Sequence, residues 1–219
     1  MDNIRAVILE PVGCLAEFPA APFHKISTRF FGRKGKASAS ASREYWHLLN
    51  LMAEPPAPLD ESQVAAIEAL ELDAINATTL YEDVRPMLVE LKSMGVQLAL
   101  TTSLSRAAAE AFLSLHSLGE FFPSVMSRDD AGDVKSIPLL AALDEVQIPG
   151  GHAIFLTDTF EGIKVARAAG VHPILMMNDP DEALRLSTHQ PDGGVVSLHE
   201  IPDFVRLVAA QNAGGSIVA

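Results

Sequence analysis

The stretch from Ile4 to Leu15 restricts what this chain can fold into more than any other part of it. An apolar run, Ala6-Val7-Ile8-Leu9, has the make-up of a buried strand and then breaks at Glu10, Pro11 and Gly13. The carboxylate of Glu10 is thereby delivered to the carboxyl end of a strand. In an open parallel α/β sheet that edge collects ligands, because the strands stop there while loops and helix N-termini converge on one crevice.

From Glu82 onward helix and strand alternate. Val84 to Met94 places Met87, Leu88 and Leu91 at helical spacing, tolerates Pro86 in its first turn and ends at Gly95. Val96 to Leu100 reads as a strand that stops at Thr101-Thr102-Ser103, and a helix opened by Ser103 or Ser105 follows to about His116. A polar loop from Arg128 to Lys135 precedes a helix from about Ile137 to Val146. Ala153 to Leu156 is again a strand leading to an acid, Asp158, and the next helix carries Ala166, Ala169 and Gly170, small enough to approach the sheet closely. Val171 to Met177 and Val195 to Leu198 add strands, Ile201 to Ala210 closes the chain as a helix, and Ala213 to Ser216 reads as a frayed end. The pattern predicts an α/β fold: a three-layer, Rossmann-like core around a central parallel sheet.

Between the first strand and this alternation the chain changes character. Ala16 to Pro22, with two prolines, is expected to break regular structure. A short helix over His24 to Phe31, a small-residue linker over Ala37 to Ser42, and a helix from about Arg43 to Met52 come next. Asp60 then caps a helix with Val64, Ile67, Leu70 or Leu72, and Ile75 on one face. The expected organisation is a core of residues 1–17 and 82–219, with a small all-helical cap, 18–81, inserted after the first strand. Lys25, Arg29, Arg33, Lys34 and Lys36 form a basic cluster in that insertion, either a solvated face or an attractor for an anionic substrate.

Composition narrows the function classes. At 219 residues and 48% hydrophobic content the chain can bury one sizeable core plus an accessory unit. A net charge of −12 opposes general affinity for nucleic acid or anionic membrane. The single cysteine, Cys14, excludes an intramolecular disulfide and favours a reducing compartment. With neither a secretory signal layout nor an apolar span of membrane length, a cytoplasmic protein without nucleic-acid or membrane partners is expected.

The motif regions resemble, in order, those of the haloacid dehalogenase (HAD)-like hydrolase superfamily, specifically its phosphatase branch with a helical cap. Ile4 to Leu15 is similar to the family's first motif, an apolar strand followed by Asp-x-Asp-Gly-Thr/Val-Leu, but Glu10 stands at the nucleophile position and Val12 at the acid/base position. Leu98 to Ser103 resembles the second motif, which implies phosphate binding by Thr101, with Thr102 beside it. The acidic loop ending in Lys135 resembles the third, whose lysine offsets the charge of nucleophile and phosphate; read alone, that lysine is simply exposed. Ala153 to Gly170 resembles the fourth, with Asp158 as a Mg²⁺ ligand, Thr157 in place of the usual Gly or Glu, and Gly162 where a second acid can stand. The resemblance also implies Mg²⁺ coordination by Glu10 and by the backbone carbonyl of Val12, and a small phosphorylated or otherwise anionic ligand.

The altered first motif bears on activity. Glu for Asp moves the attacking oxygen by about an ångström, which can cost on the order of a hundredfold in rate. Val12 removes the general acid, typically worth about a hundred- to ten-thousandfold. The expectation is a catalytically impaired or non-catalytic member that keeps a phosphate and Mg²⁺ site of Glu10, Thr101, Lys135 and Asp158. The alternative is an active Mg²⁺-dependent phosphomonoesterase using Glu10 as nucleophile, with water or His24 replacing the missing acid. 2-Haloacid dehalogenation ranks last: that branch also lacks the second Asp, but it needs the first and gives a metal no role.

Overall fold

A computed structural model of the protein describes residues 3–36, 44, 45, 48, 51, 52, 59–130, 138–178 and 180–214. Its centre is a six-stranded parallel sheet in the order β5-β4-β1-β6-β7-β8. The strands are β1 (Ala6–Leu9), β4 (Gln97–Thr101), β5 (Ser124–Met126), β6 (Ala153–Thr157), β7 (His172–Met176) and β8 (Gly193–Val195). β1 lies between β4 and β6, covered on both sides, which is why its four residues are all apolar and fully buried.

Side chains alternate between two faces. Val7, Leu9, Leu98, Leu100, Ile154 and Leu156 join one apolar cluster, and Ala6, Ile8, Ala99, Ala153 and Phe155 join another on the opposite side. The first face receives α3 (Val84–Ser93), through Val84, Met87, Leu88 and Leu91, and α4 (Arg106–Leu115), through Ala108 and Phe112. The second receives α5 (Leu139–Val146) and α6 (Phe160–Ala168), whose Ala166 lies against the sheet. Helices α7 (Pro180–Ser187) and α8 (Glu200–Gly214) complete the layers. The α/β class with a central parallel sheet is therefore as the alternation predicts.

Several expectations need correction. Ala16 to Pro22 does not break regular structure: Ala16–Glu17 forms a strand, β2, and α1 spans Ala20–Phe31. Pro19 precedes α1 and Pro22 falls in its first turn, where the amide that proline lacks has no helical partner to lose. Nor is the inserted segment wholly helical up to its far boundary, since Thr79–Leu80 forms β3, antiparallel to β2, with Ala16 opposite Leu80 and Glu17 opposite Thr79. The last strand is Gly193–Val195 rather than Val195–Leu198, α7 follows β7 where no element is expected, and α8 extends to Gly214.

Within the segment, α2 (Glu61–Asn76) begins as the sequence predicts. The Asp60 carboxylate accepts the Gln63 amide at 2.9 Å while the Gln63 side chain accepts the Asp60 amide at 3.0 Å. Helical residues at 44, 45, 48, 51 and 52 match the helix expected over Arg43 to Met52, whose remaining residues and the preceding linker over Ala37 to Ser42 lie outside the described ones. Arg33 is not simply solvated: it makes a two-pronged ion pair with Glu44, which is fully buried, while Lys25, Arg29, Lys34 and Lys36 are exposed. Among the described residues no helix is long and apolar enough to cross a membrane.

Candidate active site

Strand register levels the residues of interest. Leu9 of β1 pairs with Leu100 of β4 on one side and Leu156 of β6 on the other. One step further along each strand come Glu10, Thr101 and Thr157, and the next step is Pro11, Thr102 and Asp158. Glu10, Thr101, Thr102 and Asp158, far apart in sequence, therefore share the carboxyl rim of the sheet. Lys135, expected to join them, lies outside the described residues.

The turn after β1 is closed by its own backbone. The Pro11 carbonyl accepts the amides of Leu15 and Ala16, each at 3.1 Å, and Gly13 takes a φ of 75°, which favours glycine. The Asn178 side-chain amide donates to the Gly13 carbonyl and ties this turn to the end of β7. Val12 is buried within the turn and brings no titratable group to the rim.

Glu10 is half-buried, and its Oε2 accepts the Thr157 hydroxyl at 2.6 Å. Burial pushes its carboxyl up to about 8; the Thr157 hydrogen bond pulls the other way, and the charges of Asp158 and Glu161 push it up further. Thr157 is itself set by α6. Its Oγ1 lies 3.1 Å from the hydroxyl of Thr159, whose Oγ1 accepts the Gly162 amide at 3.0 Å and so caps the helix. A Cβ at Gly162 would stand 1.9 Å from Thr157 Oγ1. Thr157, the one departure from the fourth motif here, thus fills the space that a side chain at 162 would need, so that Thr157 and Gly162 form a matched pair.

Cys14 is fully buried, its thiol directed at the Leu156 carbonyl at 3.7 Å. Burial, then the charges of Asp158 and Glu10, push this thiol up. One ligand atom each from Glu10, Cys14 and Asp158 lies within 4.8 Å of the others. On the neighbouring strand Thr101 and Thr102 are both buried; Thr101 Oγ1 has no hydrogen-bond partner among the described residues, whereas Thr102 Oγ1 accepts the Leu104 amide at 3.1 Å. His24 lies in α1, with Nδ1 3.3 Å from Glu44 Oε2 and Nε2 3.5 Å from the Thr28 hydroxyl.

The inserted segment reaches the same rim. Glu71 of α2, fully buried, accepts the Ser105 amide at 3.2 Å and pairs with Arg128, which also donates to the Ser103 carbonyl at 3.2 Å. Ser105 opens α4, its hydroxyl accepting the Ala108 amide.

Residues 47–176 match the haloacid dehalogenase-like hydrolase family. The chain belongs to that family. The phosphoglycolate phosphatase of Nitrosococcus oceani is 28% identical over 165 residues, 73% of this chain and 72% of that one. The pyrophosphatase PpaX of Bacillus velezensis is 30% identical over 135 residues, 61% of each chain; matches to pyrophosphatases of this kind span from 45% to 61% of their length. The structure of CbbY from Rhodobacter sphaeroides in complex with phosphate shares the fold, with a TM-score of 0.66 at 22% identity over 90% of this chain and 96% of that one. The HAD-like relatives are thus phosphatase-type hydrolases, and the first motif of this chain precedes the stretch matched to the family.

Three residues at this rim escape a reading of the sequence as site residues. Thr157 is visible only as a departure from the fourth motif. Cys14 sits at the Thr/Val position of the first motif, where its spacing from Glu10 is a usable signal. Glu71 gives no signal, since a glutamate on a polar helix face reads as solvated.

Proposed function

We propose that this family member is a catalytically impaired phosphatase-type protein that keeps a site for a divalent cation and a phosphate-bearing ligand. The observation that carries the reading is the first-motif turn: Glu10 stands at the nucleophile position with Oε2 held by the Thr157 hydroxyl at 2.6 Å, and the buried Val12 stands where the acid/base belongs. A carboxylate oxygen engaged by a hydroxyl and displaced by one methylene is a weaker nucleophile than a well-placed aspartate. Val12 offers no acid for the leaving oxygen.

The donor set suits a cation. Glu10 and Asp158 would supply carboxylate oxygens, as Mg²⁺ prefers, the family resemblance adds the backbone carbonyl of Val12, and the buried Cys14, held as a thiol, stands beside the pair as a neutral neighbour. Bound there, Mg²⁺ supplies charge neutralisation. Around it Thr101 and Thr102 offer hydroxyls to a phosphate, in particular the buried Thr101 Oγ1, which has no hydrogen-bond partner among the described residues; the family resemblance alone assigns a compensating charge to Lys135. Residues 18–81 act as a cap in this reading: β2 precedes them, β3 lies at their far end and pairs with it, and Glu71 extends into the rim. The ligand is a small phosphorylated molecule, in keeping with the phosphoglycolate phosphatase and pyrophosphatase relatives, and the setting is the reducing cytoplasm, where Cys14 stays a thiol.

The test is Mg²⁺-dependent turnover of p-nitrophenyl phosphate by the natural protein, Glu10→Gln, and Glu10→Asp/Val12→Asp. The expected result is turnover at or near background for the first two and a gain of at least a hundredfold in the double reversion. Turnover by the natural protein that Glu10→Gln abolishes overturns the reading and makes Glu10 a working nucleophile.

A further inference from the structure

Beside the Glu10 site, the same rim carries a second polar cluster. Arg128 follows β5 directly, Ser105 opens α4 after β4, and Glu71 comes down from α2 to meet both. The β5 end stands two strands from the β1 end, so this cluster lies about 10 Å from Glu10 at ordinary strand spacing.

A buried carboxylate–guanidinium pair is a poor way to hold two elements together. Its desolvation often exceeds what the pairing returns, and apolar residues of similar volume do as well or better. Burial of Glu71 pushes its carboxyl up in spite of Arg128. A third polar group stands beside Arg128: the hydroxyl of Tyr45, on a side chain only 6% exposed and without a well-formed hydrogen bond to any described residue. Burial pushes this hydroxyl well up, and the nearby charges of Glu71 and Arg128 act on it in opposite directions. A guanidinium, a helix N-terminal amide and a hydroxyl, all withdrawn from water, are the groups that recognise an oxyanion.

We propose that Arg128, the Ser105 amide and the Tyr45 hydroxyl form an anion subsite that the carboxylate of Glu71 occupies in this conformation. Resting on the proposed phosphate site at Glu10, it assigns the ligand class as a small phosphomonoester with a second anionic group. The phosphate lies at Thr101 and Thr102, and the second anion takes the position of the Glu71 carboxylate, whose side chain turns away while α2 stays packed. With no ligand, the protein supplies its own anion.

Malonate in metal-free buffer, followed by calorimetric titration of the full chain, tests the subsite. Glu71→Gln keeps the side-chain shape and removes the competing charge. Malonate is expected to bind this variant at least tenfold more tightly than the natural protein, and adding Arg128→Met is expected to cancel that gain. Adding Tyr45→Phe instead, which keeps the ring, is expected to reduce the gain about threefold. No gain in Glu71→Gln, or a gain that survives Arg128→Met, overturns the proposal and leaves a structural ion pair only. Should the Arg128→Met variant fail to fold, Tyr45→Phe decides, and an unchanged malonate affinity counts against the subsite. Orthophosphate with Mg²⁺ reports separately on the Glu10 site. If orthophosphate does not bind, or binds equally in Asp158→Asn, that site's reading falls while the malonate result still decides this one.

Discussion

One added methylene at position 10 changes the partner of the carboxylate as well as its reach. Glu10 finds the Thr157 hydroxyl, and Thr157 has room for that bond because residue 162 is glycine. The folded-state carboxyl titrates near 8 against an ordinary value of 4.5, so the protonated form is the one that folding favours. Its contribution to stability is complete below about pH 4.5 and is lost as pH rises through 8. With a chelator present, the melting temperature of the natural protein is expected to fall by roughly 5 °C or more between pH 5 and pH 8.5 relative to Glu10→Gln, read as the difference between the two thermal-shift curves. Equal slopes for the two proteins would remove the burial argument. Glu10, Val12 and Asp158 are legible in the sequence as positions, because each follows an apolar run that can only be a strand. The hydrogen bond between Glu10 and Thr157 is not, since it depends on which side chain fills a space between two strands 147 residues apart along the chain.

At the scale of elements, legibility follows capping chemistry. α2, α4 and α6 begin where Asp60, Ser105 and Thr159 place an oxygen over the free amides of the first turn; the sequence displays the first, narrows the second to Ser103 or Ser105, and leaves the third to the structure. The box at Asp60 makes its own prediction: Asp60→Ala is expected to cost about 1 kcal/mol in denaturant unfolding, with Asp60→Ser close to the natural protein. β2 and β3 elude sequence reading because two residues each carry no periodicity. β8 eludes it for a packing reason. A Cβ at Gly193 would lie 2.8 Å from the Phe204 ring and one at Gly194 3.0 Å from Met177 Sδ, so this strand needs the residues least associated with strands.

Across the whole molecule, the inserted segment and the sheet share one apolar interior. Phe18 stacks on Phe23 of α1 at 6.3 Å and on Phe112 of α4 at 5.9 Å, and Ile67 and Leu70 of α2 join the same cluster as Leu9 and Leu100. Phe18→Ala is accordingly expected to cost about 3–5 kcal/mol and to shift one calorimetric transition to lower temperature without splitting it. Two resolved transitions would show that the segment and the sheet unfold independently. The antiparallel pair β2–β3 sets a further consequence. Because the polypeptide departs from the sheet and returns to it along adjacent, mutually bonded strands, everything between them hangs from a single doorway. Residues that face solvent between those two strands can be exchanged while the six-stranded sheet below keeps its register, whereas Ile67 and Leu70, which share its interior, cannot.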